Sequence, residues 1–198
     1  MGNRIYNCER NGLPKTKGEL MAREGKLSRI ITTETIRLEL NTPLEWLRKI
    51  EEAENGAGTE LPSPREMREQ IIGELVEILL PSGAIRHQGR VFTALVNRER
   101  KASTALGHGI AIPHVRTGHA RKLAIGFART NYPIHWDAPD KRPVDLFFVM
   151  VAPPYDDALY HRLWPKLAGL LQYEQTREAL RSATEPGEII RIIKTGES

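Results

Sequence analysis

One run of the sequence combines an imidazole with residue types that hold an anion. Glycines at positions 107 and 109 let the backbone approach an anion closely, Thr104 offers a hydroxyl, and Arg98 offers a planar guanidinium fork. His114 adds a ring nitrogen, and a neutral imidazole attacks phosphorus when a hydrogen bond holds its other nitrogen. These residues predict a site that accepts a phosphoryl group on His114, with Thr104, Gly107 and Gly109 contacting that group.

The histidines leave a metal site open as an alternative. His108 and His114 fall on one face of an extended strand, and Asp137 or Asp140 could complete a zinc centre. The spacing contains no tight zinc-ligand motif, so the preferred interpretation includes no metal. A zinc-dependent hydrolase remains the alternative.

The local sequence predicts how these side chains are positioned. Residues 89–100 have a helical pattern that places Arg98 at the polar end of a helix. A strand punctuated by glycines follows over residues 104–114. Because Pro113 cannot donate to a central ladder and extends the residue before it, we expect His114 where that strand stops.

The pattern of the whole chain predicts an α/β fold, a mixed β-sheet sandwiched between helices. Ser63, Pro64 and Glu66 form a capping box that starts a helix ending near residue 81. Residues 123–128 alternate large and small side chains, as in a strand under a close neighbour, and residues 144–151 are apolar on both faces, as in a central strand. Three helical stretches, at 160–171, 176–183 and 186–193, close the chain.

The charge is concentrated at the amino end. Residues 1–29 hold seven Lys or Arg and three Glu, so 7 − 3 gives +4, the net charge of the whole chain. The rest of the chain has no basic excess, which argues against a nucleic-acid partner. We predict a basic mobile tail over 1–29, a strand and helix extension or insertion over 30–59, and a phosphoacceptor domain over 60–198.

Sequence features also predict the compartment. No apolar stretch approaches the roughly 20 residues of a membrane helix, so no membrane insertion is expected. The first ten residues lack the apolar region of a secretory signal. Cys8 is the single cysteine, which fits a reducing cytoplasm.

The ordered motifs of the chain resemble those of the bacterial phosphotransferase system enzyme IIA of the fructose–mannitol type, the family that includes the nitrogen-regulatory enzyme IIA. The resemblance runs from about Glu60 to Ile193. The matching runs are Asn97-Arg98-Glu99, Ser103-Thr104, Gly107-His108-Gly109-Ile110-Ala111-Ile112-Pro113-His114, Ile134-His135-Trp136-Asp137-Ala138-Pro139-Asp140, Pro143-Val144-Asp145-Leu146-Phe147-Phe148 and His161-Arg162-Leu163. The resemblance implies the family's mixed sheet between helices, in agreement with the pattern above.

The resemblance also implies roles for individual residues. His114 would be phosphorylated on Nε2 by an HPr-like phosphocarrier protein, with Arg98 beside it and His161 as the second active-site histidine. No cofactor is implied beyond the phosphoryl group. The acceptor would be an enzyme IIB or a regulatory protein, and a regulatory module that transfers to no sugar is the main alternative. Pro165 lies four residues after His161, so a helix should start after His161 or kink there.

Overall fold

A mixed sheet forms the middle layer of the protein, for which a computed structural model describes residues 25–55, 62–155 and 157–197. Its order is β1-β5-β6-β3-β2, and β4 also pairs with β6. The strands are β1 (Ile36–Arg37), β2 (Ala105–Gly107), β3 (Ile110–Ala111), β4 (His114–Arg116), β5 (Ala124–Ile134) and β6 (Val144–Ala152).

Helices cover both faces of the sheet. One layer contains α2 (Asn41–Glu54), α3 (Pro64–Ile78) and α4 (Gln88–Lys101). The other contains α1 (Leu27–Ile30), α5 (Asp157–Gln172), α6 (Glu174–Ser182) and α7 (Pro186–Gly196). The predicted fold class is confirmed, and α3 begins at the predicted capping box of Ser63 and Glu66.

Strand β6 is the centre of the sheet, as its apolar sequence predicts. It pairs antiparallel with β5 on one side and parallel with β3 and β4 on the other. Phe147 and Val149 face the α2–α4 layer, whereas Phe148 and Met150 face the α5–α7 layer. The alternation follows from the two-residue period of a strand, and it joins two separate apolar cores through one element.

Close packing around Gly126 explains the small residues of β5. A Cβ added at Gly126 would lie 3.1 Å from Leu79 and 3.2 Å from both Thr35 and Val149. The alternation of large and small side chains therefore does mark a strand pressed against its neighbours.

The strand predicted over residues 104–114 is three strands in the structure. Gly107, His108 and Gly109 have φ values of 90°, 56° and 80°, which turn the chain so that β2 and β3 pair antiparallel. Pro113 keeps its carbonyl in the ladder, accepting a bond from the Met150 amide at 2.9 Å, but it has no N–H to give. The ladder is interrupted there, and His114 begins β4 instead of ending the earlier strand, which corrects the expectation.

The amino-terminal part of the described chain is integrated into the core. Leu27 is fully buried, and the backbone amides of Leu27 and Ser28 donate to the Glu197 carboxylate. The predicted tail therefore does not reach residue 29, and residues 1–24 lie outside the described residues. Strand β1 pairs with β5, so the stretch predicted as an extension or insertion contributes to the sheet; residues 56–61, at its predicted end, are also outside the described part.

Glu74 of α3 holds that amino-terminal stretch in place. Its nearly buried carboxylate accepts bonds from the Arg37 guanidinium, the Asn41 and Thr42 amides and the Thr42 hydroxyl, all within 2.9 Å. Two of these donors are free amides at the start of α2, which need an acceptor from outside the helix. Burial, the largest single effect, raises the pKa of Glu74, but the hydrogen bonds together outweigh it and lower the pKa below its ordinary value.

Among the described residues, no helix combines the length and the apolar character needed to cross a bilayer.

Replacement of Glu74 by Gln should lower the free energy of unfolding by about 1–3 kcal/mol, because an amide cannot accept on both sides and presents an NH₂ group to a donor. A lowered pKa means that the carboxylate stabilises the fold fully at neutral pH and loses this effect as the pH falls below 4.5. Urea unfolding at several pH values should therefore show a weaker acid dependence for Glu74→Gln than for wild type. The exposed Glu77 of the same helix gives the control, Glu77→Gln, and equal losses in both variants would contradict the assignment.

Candidate functional site

His114 has one ring nitrogen held by the backbone and the other directed toward a cation. Its Nδ1 lies 2.7 Å from the Ile112 carbonyl oxygen, so Nδ1 carries the proton and donates it. Nε2 is then unprotonated and holds the lone pair. Burial, the largest effect, and the charge of Arg98 both lower the pKa of His114; the bond to Ile112 raises it but does not cancel them. The ring is therefore neutral at pH 7, the state that can act as a nucleophile.

Arg98 reaches His114 from the last turn of α4. Its Nη2 lies 3.4 Å from the His114 Nε2, while its Nη1 donates to the Ala102 carbonyl at 2.8 Å. The second bond fixes the guanidinium just beyond the end of the helix. The structure thus brings together His114 and Arg98 as the sequence predicts, and a positive fork lies where a group attached to Nε2 would extend.

Aromatic side chains of α5 form the opposite wall of this site. The Trp164 ring centre is 4.5 Å from the His114 ring centre, and the Tyr160 ring centre is 6.5 Å from it. The Arg116 guanidinium lies over the Tyr160 ring at 5.6 Å. The imidazole is therefore enclosed between α4, which covers one face of the sheet, and α5, which covers the other.

The structure does not place His161 beside His114. Helix α5 runs from Asp157 to Gln172 with Pro165 inside it, so of the two expected outcomes, a start after His161 or a kink there, the start after His161 is wrong. His161 and Pro165 are both exposed, on the outer side of the helix. The ring contact that the structure gives His161 is with Tyr160, at 5.7 Å.

The helical periodicity of α5 indicates which of its side chains face the sheet, which the motif resemblance does not. The buried residues Leu163 and Leu167 fix the inner face of α5, and Tyr160 and Trp164 lie on that same face, four residues apart. His161 is one residue further, about 100° around the helix. The periodicity of this segment therefore already favours Tyr160 and Trp164 as the residues facing the sheet.

Thr104 has a different partner from the one expected. It is nearly buried, and both its amide and its hydroxyl donate to the Glu99 carboxylate. The threonine proton is thus already engaged, and this pair joins the start of the hairpin to the last turn of α4. Thr104 therefore holds the hairpin against α4, and its hydroxyl proton is not available to a phosphoryl group.

The glycine turn lies away from His114. Gly109 accepts from the Asp145 amide, whereas His114 pairs with Met150, five residues further along β6, roughly 16 Å away at strand rise. At the turn, a Cβ on Gly109 would meet the Asp145 carboxylate at 2.5 Å, and one on Gly107 would meet Asp140 at 3.1 Å. The glycines thus permit close contacts with two carboxylates and with the Arg181 guanidinium, and Gly107 and Gly109, predicted to contact the phosphoryl group, lie apart from His114 in this structure.

The same separation argues against the zinc alternative. His108 lies in the glycine turn, whereas His114 lies beside Met150, five residues further along β6 than Asp145. Within the described ranges, no group of three or more His, Cys, Asp or Glu side chains is arranged to hold a metal ion. Asp140 instead accepts from the His108 amide at 2.7 Å.

Comparison with known proteins gives the same family as the motifs. The family model described as "Phosphoenolpyruvate-dependent sugar phosphotransferase system, EIIA 2" matches residues 60–196. The fructose-specific EIIABC component of Bacillus subtilis is 32% identical over 126 residues, 64% of this chain but 20% of that protein. The fructose-specific EIIA component of Haloferax volcanii is 31% identical over 123 residues, 62% of this chain and 80% of that protein.

A solved structure extends the likeness to most of the fold. Nitrogen Regulatory Protein IIA-Ntr from Neisseria meningitidis superposes with a TM-score of 0.66 at 26% identity, covering 84% of this chain and 98% of that one. The superposed part of this chain is therefore longer than the 137 residues, 60–196, that match the family model. This agrees with the pairing of β1 with β5 in the sheet. The chain belongs to the EIIA type 2 family of the phosphoenolpyruvate-dependent phosphotransferase system.

Proposed function

We propose that this chain is a phosphoryl carrier that accepts the group on Nε2 of His114. The observation that supports this most directly is the bond from the His114 Nδ1–H to the Ile112 carbonyl at 2.7 Å, which leaves Nε2 unprotonated and facing the Arg98 guanidinium. Family membership supplies the class of reaction, and the geometry supplies the atom.

The transfer balances without a proton acceptor. The Nε2 lone pair forms a bond to phosphorus while the bond between phosphorus and the donor's nitrogen breaks, and the donor imidazole keeps the released electron pair. As Nε2 bonds to phosphorus, positive charge develops on the His114 ring and strengthens the Nδ1–H bond to Ile112. That bond is thus worth more in the transition state than before it, which is the requirement for catalysis.

Arg98 compensates charge on the other side of the new bond. The transferred group has charge spread over three oxygens, and a guanidinium can hold two of them in parallel. The Arg98 Nη2–H faces Nε2 before transfer, so it can donate to an oxygen of the phosphoryl group once phosphorus is bonded to Nε2. No cofactor beyond the phosphoryl group itself enters this proposal.

The partners follow from the family and not from a contact in the structure. We propose an HPr-like phosphocarrier as the donor and a cytoplasmic setting in which the two meet. The acceptor is an enzyme IIB, in line with the joined A, B and C components of the Bacillus relative, or a regulatory target, in line with the IIA-Ntr structure. Measuring transfer to a purified enzyme IIB separates the two: a regulatory module would become phosphorylated and pass nothing on.

Incubation with phosphoenolpyruvate, enzyme I and HPr should add one phosphoryl group that is labile in acid and stable in base, as expected for phosphohistidine. Mass spectrometry of the intact chain measures the addition. His114→Ala should accept none, whereas His135→Ala, at an exposed histidine outside the site, should accept one. Full acceptance by His114→Ala would refute the assignment of the nucleophile.

Replacing Arg98 by Lys should slow phosphoryl acceptance roughly ten- to a thousandfold, because a point charge replaces a fork that holds two oxygens, costing about 1.4–4 kcal/mol of transition-state stabilisation. Quenched-flow rates measure this. The melting temperature should stay near that of wild type, since Arg98 bonds only the end of its own helix and His114. Arg90→Lys, at an exposed position on the same helix, is the control, and equal rates in both variants would place Arg98 outside the reaction.

His114 should show the Nδ1–H tautomer in nitrogen-15 NMR, because the Ile112 carbonyl accepts from that atom. Its titration midpoint should fall below 6.5, since burial disfavours the charged ring. Phosphoryl acceptance should therefore decline as the pH is lowered, with a midpoint below 6.5, because a proton then occupies the Nε2 lone pair. An Nε2–H tautomer, or a midpoint above that of the urea-unfolded chain, would contradict the described geometry.

A further inference from the structure

The wall formed by α5 brings a hydroxyl to the site that the transfer described above does not use. We infer that Tyr160, and not the neighbouring His161, is the α5 side chain that donates a hydrogen bond to the phosphoryl group on His114. The inference rests on the proposed function, since it takes His114 as the acceptor.

The first support is position. The His114 and Tyr160 ring centres are 6.5 Å apart, a separation that a group bonded to the rim of one ring can span to reach the rim of the other. The Arg116 guanidinium lies over the Tyr160 ring at 5.6 Å, and Arg98 as well as Arg116 is near enough for its charge to act on the Tyr160 hydroxyl. An anion on His114 would therefore meet three groups that attract it from separate elements.

The second support is rigidity. Tyr160 stacks on Trp164 with an angle of 13° between the rings, and the Arg116 guanidinium covers it at 5.6 Å. Trp164 in turn contacts His114 at 4.5 Å. The phenol is thus held by the same aromatic group that packs against the nucleophile, so little order must be gained when the phosphoryl group arrives.

The third support is protonation. Burial raises the pKa of Tyr160 above its ordinary value, and the opposing effects of Arg116 and Arg98 do not cancel it. The hydroxyl therefore keeps its proton at neutral pH and serves as a donor. His161 lacks the support of position: it is exposed, on the outer side of α5, and its described ring contact is with Tyr160.

The test uses phosphoramidate as the donor, so that no protein partner affects the result. Its P–N bond breaks and ammonia leaves as the Nε2–P bond forms on His114. Tyr160→Phe keeps the ring and its stacking but removes the hydroxyl, and Tyr173→Phe makes the same change at a site 69% exposed. His161→Gln tests the alternative, and melting temperatures of all variants check that folding is unchanged.

We expect Tyr160→Phe to accept the phosphoryl group about ten- to a hundredfold more slowly, as for loss of one hydrogen bond to a charged group. Phosphorus-31 NMR should show the last proton binding to the phosphoryl group at higher pH in this variant, because a lost donor no longer stabilises the dianion. A purely structural role would leave that midpoint unchanged. His161→Gln and Tyr173→Phe should match wild type in both measurements.

A wild-type rate and midpoint in Tyr160→Phe would overturn the inference, and a slow His161→Gln would assign the role to His161. If Tyr160→Phe melts early, the wild-type chain still decides: exchange of the Tyr160 hydroxyl proton should slow on phosphorylation, and unchanged exchange would overturn the inference. Absence of any label on wild-type His114 would instead refute the proposed function on which the inference depends.

Discussion

The chemistry of this protein depends on one hydrogen bond, from the Nδ1–H of His114 to the carbonyl of Ile112, only two residues earlier. It selects the tautomer, turns Nε2 toward Arg98 and can stabilise the positive charge that develops when Nε2 bonds to phosphorus. The bond joins the residues on either side of Pro113, which has no N–H and interrupts the ladder. The proline is therefore part of how the nucleophile is oriented.

The two helical layers supply the other side chains that contact His114. Because β6 is buried on both faces, each layer packs on it separately, and the carboxyl end of α4 and the amino half of α5 meet near β4. One layer contributes the guanidinium of Arg98 and the other contributes the rings of Trp164 and Tyr160. Charge and aromatic cover thus reach His114 from the two sides of the sheet.

The sequence predicted the layers, the central strand and the placing of Arg98 beside His114, because each depends on local signals: periodicity, a capping box and a proline next to an imidazole. It did not predict the partners of Thr104, Gly107 and Gly109. The glycine residue type indicates that another group can approach closely. The groups that do so, Asp145 at the start of β6 and Asp140 in the loop before it, are distant in the sequence. Which anion fills the space is decided by sheet register, and a single sequence does not contain it.

The case of His161 shows how two sequence signals can disagree. Motif resemblance identifies residue types in order, whereas the helical period determines which side chains face the sheet, and a shift of one residue turns a side chain by about 100°. Here the period, fixed by Leu163 and Leu167, directs Tyr160 inward. A phenol in that place has a physical consequence. An imidazole changes charge near neutral pH, but a buried phenol keeps its proton, so Tyr160 stays an uncharged donor while His114 titrates.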